Sequence, residues 1–87
     1  MKVLFAERAW EDYLYWQATD RNTLRRINAL INDAAREPFA GLGKPERLRG
    51  NFSGSWSRRI NQDDRMVYHV EGDRLYLAQL RFHYADD

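Results

Sequence analysis

The sequence feature that most constrains the fold is an amphipathic helical pattern that ends at a proline. Asp20 is a favourable N-cap residue, and Pro38 lacks an amide hydrogen and restricts the residue before it. These two signals predict a helix over residues 20–36, with one apolar face available to cover a sheet. The apolar residues that keep the 3.6-residue period are Leu24, Ile27, Leu30, Ile31 and Ala34.

Another helix is predicted upstream, after a short strand. Lys2–Phe5 alternates as a strand, and residues 7–18 show helical spacing, although Ala6 is a poor N-cap. A turn at Thr19-Asp20 joins the two helices into a hairpin. We expect Trp16 to lie off the apolar stripe as a partly exposed ring. The predicted stripe comprises Trp10, Tyr13, Leu14 and Gln17.

The second half of the chain alternates with the two-residue period of strands. Strands are predicted over residues 56–61, 65–70 and 75–82, joined by short turns. Residues 39–55 are predicted to form a long loop. The apolar residues within it indicate that the loop is ordered. The order β-α-α-β-β-β predicts an α+β fold with a helical hairpin packed on a mostly antiparallel twisted sheet. We expect residues 1–87 to form a single domain.

Composition excludes several classes of protein. A chain of 87 residues buries only roughly 60% of its extended surface, although three Trp, five Tyr and four Phe compensate in part. Without cysteine there is neither a disulfide framework nor a thiolate metal site. Neither a leader sequence nor a long apolar run is present. We therefore expect a cytoplasmic protein with no membrane contact.

Positive charge is concentrated in the middle of the chain, although the net charge is only +1. Glu46 is the one anion among five cations there, and four of the five are arginine. Guanidinium groups bind phosphate oxygens through two parallel hydrogen bonds, which predicts a phosphate-binding surface. A solvated charged face is the alternative interpretation. The five cations are Lys44, Arg47, Arg49, Arg58 and Arg59.

The same region and the last strand contain the residue types that cleave RNA without a metal. That reaction needs a base for the 2′-hydroxyl, a cation for the phosphate, an acid for the departing 5′-oxygen, and a means of holding the RNA. His83 is the better candidate acid because it follows a strand, whereas His69 lies in mid-strand. Glu46 is the candidate base, and an ordinary surface ion pair is its alternative role.

Arg65 and Arg59 are the candidates for stabilising charge on the phosphate, since both flank the same predicted turn. Either is equally interpretable as an ordinary cross-strand charge. Tyr84 is suited to stacking on a base or to capping the core. Two isolated histidines and scattered acids lack the spacing of metal ligands, so no metal or other cofactor is expected.

Five sequence segments together resemble one bacterial family over nearly the whole length. The chain resembles the Txe/YoeB family of RelE-like toxins of toxin–antitoxin systems, most specifically through GKPE-L, SG-WSRRI and a late R-(F/Y)-HY. The segments are WEDYLYWQATD at 10–20, INALINDAAREPFAGLGKPERL at 27–48, NFSGSWSRRI at 51–60, RMVY at 65–68 and RFHY at 81–84.

The resemblance implies a RelE-like fold and a ribosome-dependent endoribonuclease that cuts mRNA in the A site of the 70S ribosome. It assigns Glu46 as general base and His83 as general acid. Arg65 would stabilise the transition state and Tyr84 would orient the substrate. The expected products carry a 2′,3′-cyclic phosphate and a 5′-hydroxyl. The residues expected to bind RNA are Lys44, Arg49, Arg58 and Arg59.

The resemblance also implies inhibition by a YefM-type antitoxin, possible homodimerisation and a bacterial cytoplasmic location. Two alternative functions remain at this point: a ParE-type toxin that binds gyrase without nuclease activity, and an RNA-binding module that blocks translation by occupancy. Residues 85–87 add two carboxylates after Tyr84, which are expected to favour a protonated His83 or to repel RNA mildly.

Overall fold

Two helices pack against one face of a five-stranded sheet in a computed structural model that describes residues 1–84. The expectation about the carboxylates of residues 85–87 lies outside the described residues. Neither helix in the described part of the chain is long and apolar enough to cross a bilayer. The elements are β1 (Lys2–Phe5), α1 (Glu7–Thr19), α2 (Arg21–Arg36), β2 (Glu46–Arg47), a 3-10 turn (Gly50–Phe52), β3 (Trp56–Arg59), β4 (Arg65–Glu71) and β5 (Arg74–Gln79).

The sheet has the order β1-β5-β4-β3-β2, and only the β1–β5 pair is parallel. The predicted α+β class, with a helical hairpin on a mostly antiparallel sheet, is therefore confirmed. The largest differences from the predicted boundaries lie in two places, and β3 also ends at Arg59 rather than at residue 61. The region predicted as loop contains the two-residue edge strand β2, and β5 ends at Gln79 rather than at residue 82.

The prediction for α1 was wrong about which stripe is buried. Trp16 is only 8% exposed, whereas Trp10 is 48% exposed and Leu14 is 42% exposed. The indole Nε1 of Trp16 donates a hydrogen bond to the carbonyl of Leu80 at 2.8 Å. Ala9 and Asp12 are the other buried residues of this stripe. The carboxylate of Asp12 weakens the apolar pattern by which the sequence would indicate the stripe.

Helix α2 forms as its sequence predicts. The side chain of Asp20 accepts hydrogen bonds from the backbone N–H groups of Asn22 and Thr23, both at 3.1 Å. Its bond from the Thr23 hydroxyl, together with these amide bonds, lowers the pKa of Asp20. The apolar face of α2 packs with the inward residues of β4 and β5 in the core. Its fully buried members include Ile27, Leu30, Ala34, Met66, Tyr68, Leu75, Leu77 and Leu80.

The helices cover only one side of the sheet, and strand alternation assigns residues to the two sides. Arg58 on β3 faces α2, where it contacts Asp33, so its neighbours Ser57 and Arg59 face the other way. Residues paired across strands share a face. We call this side, which the helices do not cover, the open face; it carries Glu46, Ser57, Arg59, Arg65 and Val67, of which Ser57 and Val67 are buried.

Candidate functional site

Glu46 lies on the open face at the edge of the sheet, opposite Ser57 in the register of β2 and β3. It lines an open concavity of about 330 Å³ together with Arg47, Leu48, Arg49 and Tyr84. The carboxylate that the sequence places in a loop therefore faces the same space as an aromatic ring 38 positions later in the chain.

A tight glycine turn brings the chain to this edge strand. Gly43 has a φ of +80°, and its carbonyl accepts a hydrogen bond from the Arg59 amide at 2.7 Å. A Cβ at Gly43 would lie 2.8 Å from the Cδ2 atom of Leu30, so only glycine fits between α2 and β3. Lys44 follows with a φ of +53°, and it is exposed. The turn fixes where Glu46 enters the sheet.

The segment 80–84 continues beyond β5 beside the start of β4, with Leu80 buried in the core against α1. The side-chain amide of Gln79 donates to the carbonyls of Arg81 and Phe82, at 3.0 and 3.2 Å. The backbone amide of Arg65 also donates to the Phe82 carbonyl, at 3.0 Å. These bonds connect the segment that carries His83 to the start of β4.

His83 and Tyr84 form an aromatic pair beside the concavity. Their ring centroids are 4.5 Å apart, and the Nδ1 atom of His83 lies 3.3 Å from the Tyr84 carbonyl. Tyr84 also meets the ring of Phe52 edge-on, with centroids 5.8 Å apart. Tyr84 lines the concavity with Glu46, and His83 packs against Tyr84 without being one of the lining residues, so the predicted acid lies beside the space that the predicted base faces.

Arg65 and Arg59 are direct cross-strand partners on the open face. The Nη1 atom of Arg65 donates to the carbonyls of Asn61, Gln62 and Asp64, at 2.8 to 3.1 Å. Within residues 1–84 the other guanidinium nitrogens of Arg65 make no hydrogen bond, so they remain available to an anion. The side chain of Arg59 is exposed.

Arg49 lines the concavity, immediately before the 3-10 turn whose Phe52 contacts Tyr84. Lys44 lies in the preceding loop and is not one of the lining residues. Of the predicted RNA-binding cations, Arg49 is therefore in the concavity, Arg59 lies on the open face, and Lys44 is exposed in the loop before β2.

Arg58 does not belong with the predicted RNA-binding residues, and the structure corrects that prediction. Its side chain is 0% exposed, and its Nη1 donates to the Asp33 carboxylate at 2.6 Å. Its Nε donates to the Tyr68 hydroxyl at 3.0 Å. The remaining donors bind the carbonyls of Glu37, Ala40 and Leu42, which leaves none for RNA.

The ion pair between the buried Arg58 and the half-buried Asp33 anchors the loop that leads to β2. The bond from Arg58, followed by the bond from the Leu42 amide, lowers the pKa of Asp33 to about 2. The Tyr68 hydroxyl donates to the carbonyl of Pro38 at 2.6 Å, and burial raises the pKa of Tyr68. The two-residue alternation of the strand places Arg58 on the same face as Trp56 and Ile60, and this was the sequence signal for its burial.

Sequence reasoning missed the residues that hold the 80–84 segment in place. Asp12 accepts a hydrogen bond from the Leu80 amide at 2.9 Å, while Trp16 binds the Leu80 carbonyl. The carboxylate of Asp64 accepts from the Phe82 amide at 2.6 Å. These contacts join residues 18 to 68 positions apart, so no local pattern indicates them.

Among residues 1–84, no group of three or more histidine, aspartate or glutamate side chains is arranged to hold a metal ion. His69, the second histidine, stacks on Tyr76 with ring centroids 4.8 Å apart. It therefore lies in a cross-strand aromatic pair, not beside His83.

A helical hairpin on one side of a mixed five-stranded sheet, with a cationic open face, defines the RelE-like class of small α+β toxins. The sequence model of one family matches residues 5–84. The chain belongs to the YoeB-like toxins of bacterial type II toxin–antitoxin systems. The family resemblance inferred from the sequence is thereby confirmed.

Similar proteins cover almost the whole chain. Toxin YoeB of Escherichia coli strain K12 is 52% identical over 84 residues, which are 97% of this chain and 100% of that protein. The solved YoeB/ParE toxin from Agrobacterium tumefaciens is 50% identical, with a TM-score of 0.92 over 97% of this chain and 100% of its own.

Two Staphylococcus aureus structures show related toxins in assemblies. One is a heterotetrameric YoeB–YefM toxin–antitoxin complex, with a TM-score of 0.88. The other is a YoeB dimer, with a TM-score of 0.89. In both, the matched chain is 38% identical, and the match covers 97% of this chain and 98% of the other.

Proposed function

We propose that this toxin is a ribosome-dependent endoribonuclease that cuts mRNA in the A site of the 70S ribosome without a metal ion. One observation carries the proposal: Glu46 and Tyr84 line one concavity, and His83 packs against Tyr84. A candidate base and a candidate acid thus lie beside a space that can admit a phosphodiester. Membership of a toxin family is the independent support.

In the proposed reaction, the Glu46 carboxylate takes the proton of the 2′-hydroxyl as the 2′-oxygen attacks phosphorus. His83 gives a proton to the departing 5′-oxygen. The products are a 2′,3′-cyclic phosphate and a 5′-hydroxyl, with the two protons balanced between base and acid.

Arg65 supplies the positive charge for the transition state. Its Nη1 is held by three carbonyls, so the guanidinium is fixed before the substrate arrives. A fixed donor stabilises developing charge without having to reorganise during the reaction. Arg59, directly across the strand pair, adds a second cation on the same face.

The contact of His83 with the Tyr84 carbonyl supports the proposed acid. When the imidazolium Nδ1 donates to that oxygen, 3.3 Å away, Nε2 is left to donate to the leaving group. Tyr84 and the cations Arg49 and Lys44 are proposed to hold the RNA, by stacking and by phosphate contacts.

We also propose that a YefM-type antitoxin inhibits this toxin and that the toxin dimerises in the bacterial cytoplasm. The support is the assembly of S. aureus YoeB with YefM and as a dimer. Trp16 is buried and does not contribute to such contacts, whereas Trp10 and Leu14 expose apolar surface on α1. Light scattering at micromolar concentration, with and without antitoxin, tests both assemblies; a monomer throughout would contradict them.

The central test maps the ends of an mRNA incubated with the toxin, with and without ribosomes. We expect new ends only with ribosomes, and a rate roughly 10²–10⁴-fold lower for His83→Gln or Glu46→Ala because each removes a proton-transfer group. The matched controls are His69→Gln and Glu71→Ala, which change the same residue types away from the concavity. Cleavage by the first pair at the wild-type rate would contradict the proposal.

The same experiment separates the alternative functions. An RNA-binding module would inhibit translation without producing new ends. A ParE-type toxin would inhibit DNA supercoiling by gyrase and leave the mRNA intact. We expect cleavage and normal gyrase activity.

A further inference from the structure

Phe82, immediately before His83, has a backbone conformation that is unfavourable for its residue type. Its φ is +67°, in the left-handed region where a Cβ meets the following carbonyl. Its ring is 53% exposed, so burial in the core does not impose this conformation. Something else must hold the backbone there.

Three hydrogen bonds clamp both backbone groups of Phe82. Its amide donates to Oδ1 of Asp64 at 2.6 Å. Its carbonyl accepts from the Arg65 amide at 3.0 Å and from the Gln79 side chain at 3.2 Å. The bond to Asp64 is the short one and has an ionised acceptor, the type that is roughly twice as strong as a neutral hydrogen bond.

The carboxylate of Asp64 has no other hydrogen bond within residues 1–84. Its backbone carbonyl closes the preceding turn by accepting from Ile60 and Arg65, and this does not involve the side chain. A carboxylate beside the proposed phosphate-binding arginine opposes anion binding in general. The hydrogen bond from the Phe82 amide therefore provides a structural reason for an aspartate at position 64.

We propose that Asp64 is a positioning residue that clamps Phe82 in the left-handed conformation and so places Tyr84 in the concavity with His83 packed against it. Release of the clamp lets Phe82 return to a negative φ, which redirects the chain and removes the acid from the site. The effect of the clamp on cleavage rests on the proposed function, but its effect on the conformation of the 80–84 segment does not.

The test combines substitutions of Asp64 with a glycine at position 82. Asp64→Ala removes the acceptor, and loss of a charge-assisted bond should shift the clamped fraction by roughly 10- to 100-fold and lower cleavage accordingly. Asp64→Asn retains an acceptor oxygen and should recover most of the rate. Glycine adopts positive φ as readily as negative φ. Phe82→Gly in the Asp64→Ala background should therefore restore cleavage to within a few-fold of wild type.

The second readout is independent of cleavage. NMR of the free toxin reports ring-current shifts of the packed His83 and Tyr84 side chains. These shifts should be lost in Asp64→Ala and regained in Asp64→Asn and in the double variant. If the wild type fails to cleave mRNA, the proposed function fails, and these shifts still decide on the clamp.

Two results would overturn the clamp. One is an Asp64→Ala variant with wild-type ring-current shifts. The other is a double variant that shows no recovery, because damage to the turn alone would not be repaired by glycine at position 82. If Asp64→Ala does not fold by circular dichroism, the comparison moves to Asp64→Asn with and without Phe82→Gly. In that comparison, Phe82→Gly should reduce the loss of cleavage and of ring-current shifts caused by Asp64→Asn. If Phe82→Gly does not reduce that loss, the clamp is also overturned.

Discussion

Arg58 and Arg59 are adjacent in β3 but lie in opposite environments. The guanidinium of Arg58 is fully buried and donates hydrogen bonds to five protein acceptors. Arg59 is exposed on the open face, opposite Arg65. The same residue type thus anchors a loop on one side of the sheet and offers charge to a ligand on the other. Position in the strand decides which role it has.

The two sides of the sheet differ in the same way as these two arginines. On the helix side, apolar packing and the Arg58–Asp33 pair fix the structure. On the other side, the side chains of Gln79 and Asp64 form hydrogen bonds with backbone groups of residues 81 and 82 and hold the segment that carries His83. Substitutions on the helix side should therefore change stability, and substitutions on the open face should change activity.

The largest expected effect comes from Arg58→Met. It removes the guanidinium that pairs with the Asp33 carboxylate and donates to three loop carbonyls, so we expect a loss of roughly 3–5 kcal/mol in the free energy of unfolding. That is a large share of the roughly 5–15 kcal/mol typical of a domain. Urea denaturation measures it, with Arg59→Met as the matched control. Equal stability of the two variants would remove the distinction between the two sites.

A smaller effect, confined to acid, is expected from Asp33. Its pKa in the folded state is about 2, below the usual value of 3.8 for an aspartate. Its stabilisation is therefore complete above pH 3.8 and is lost as the pH falls through about 2. Unfolding free energies between pH 2 and 5 should fall less steeply in Asp33→Asn than in wild type. Asp63→Asn, an exposed change of equal charge, is the control; equal slopes in Asp33→Asn and wild type would contradict this.

The smallest effect on stability is expected from Arg59→Ala. Because the side chain is exposed, the free energy of unfolding should stay within about 0.5 kcal/mol of wild type. RNA binding should weaken uniformly across sequences, and the salt slope of log K should fall by about 1. Filter binding over a range of salt concentrations measures this. An unchanged slope would mean that Arg59 contacts no phosphate.

Local patterns predicted the elements of this fold well because caps, prolines and alternation are local. The N-cap at Asp20 and the helix stop near Pro38 are examples. The buried stripe of α1 was mispredicted because it contains Asp12, whose partner Leu80 is 68 positions away. A carboxylate on a helix indicates an exposed position, and the sequence alone does not reveal the distant Leu80 amide that allows Asp12 to be buried.

The candidate site shows the same division. Glu46, Arg65, His83 and Tyr84 were predicted from residue type and family resemblance, and their catalytic roles remain predictions. The positive φ of Phe82 and the contact with Asp64 follow from tertiary structure, and no local sequence signal indicates them. Arg58 was wrongly predicted to bind RNA because the arginine-rich composition of its segment suggested a phosphate-binding surface. Its alternation with Trp56 and Ile60 indicated the buried position that it has.

The position of β5 inside the sheet has a consequence for synthesis. β5 pairs with both β1 and β4, so the first strand has no neighbour until a strand made much later has left the ribosome. Pairing over such a sequence separation is slow to form, because a long loop must close first. His83 and Tyr84 emerge later still. A partly synthesised chain therefore lacks both a completed sheet and the proposed acid.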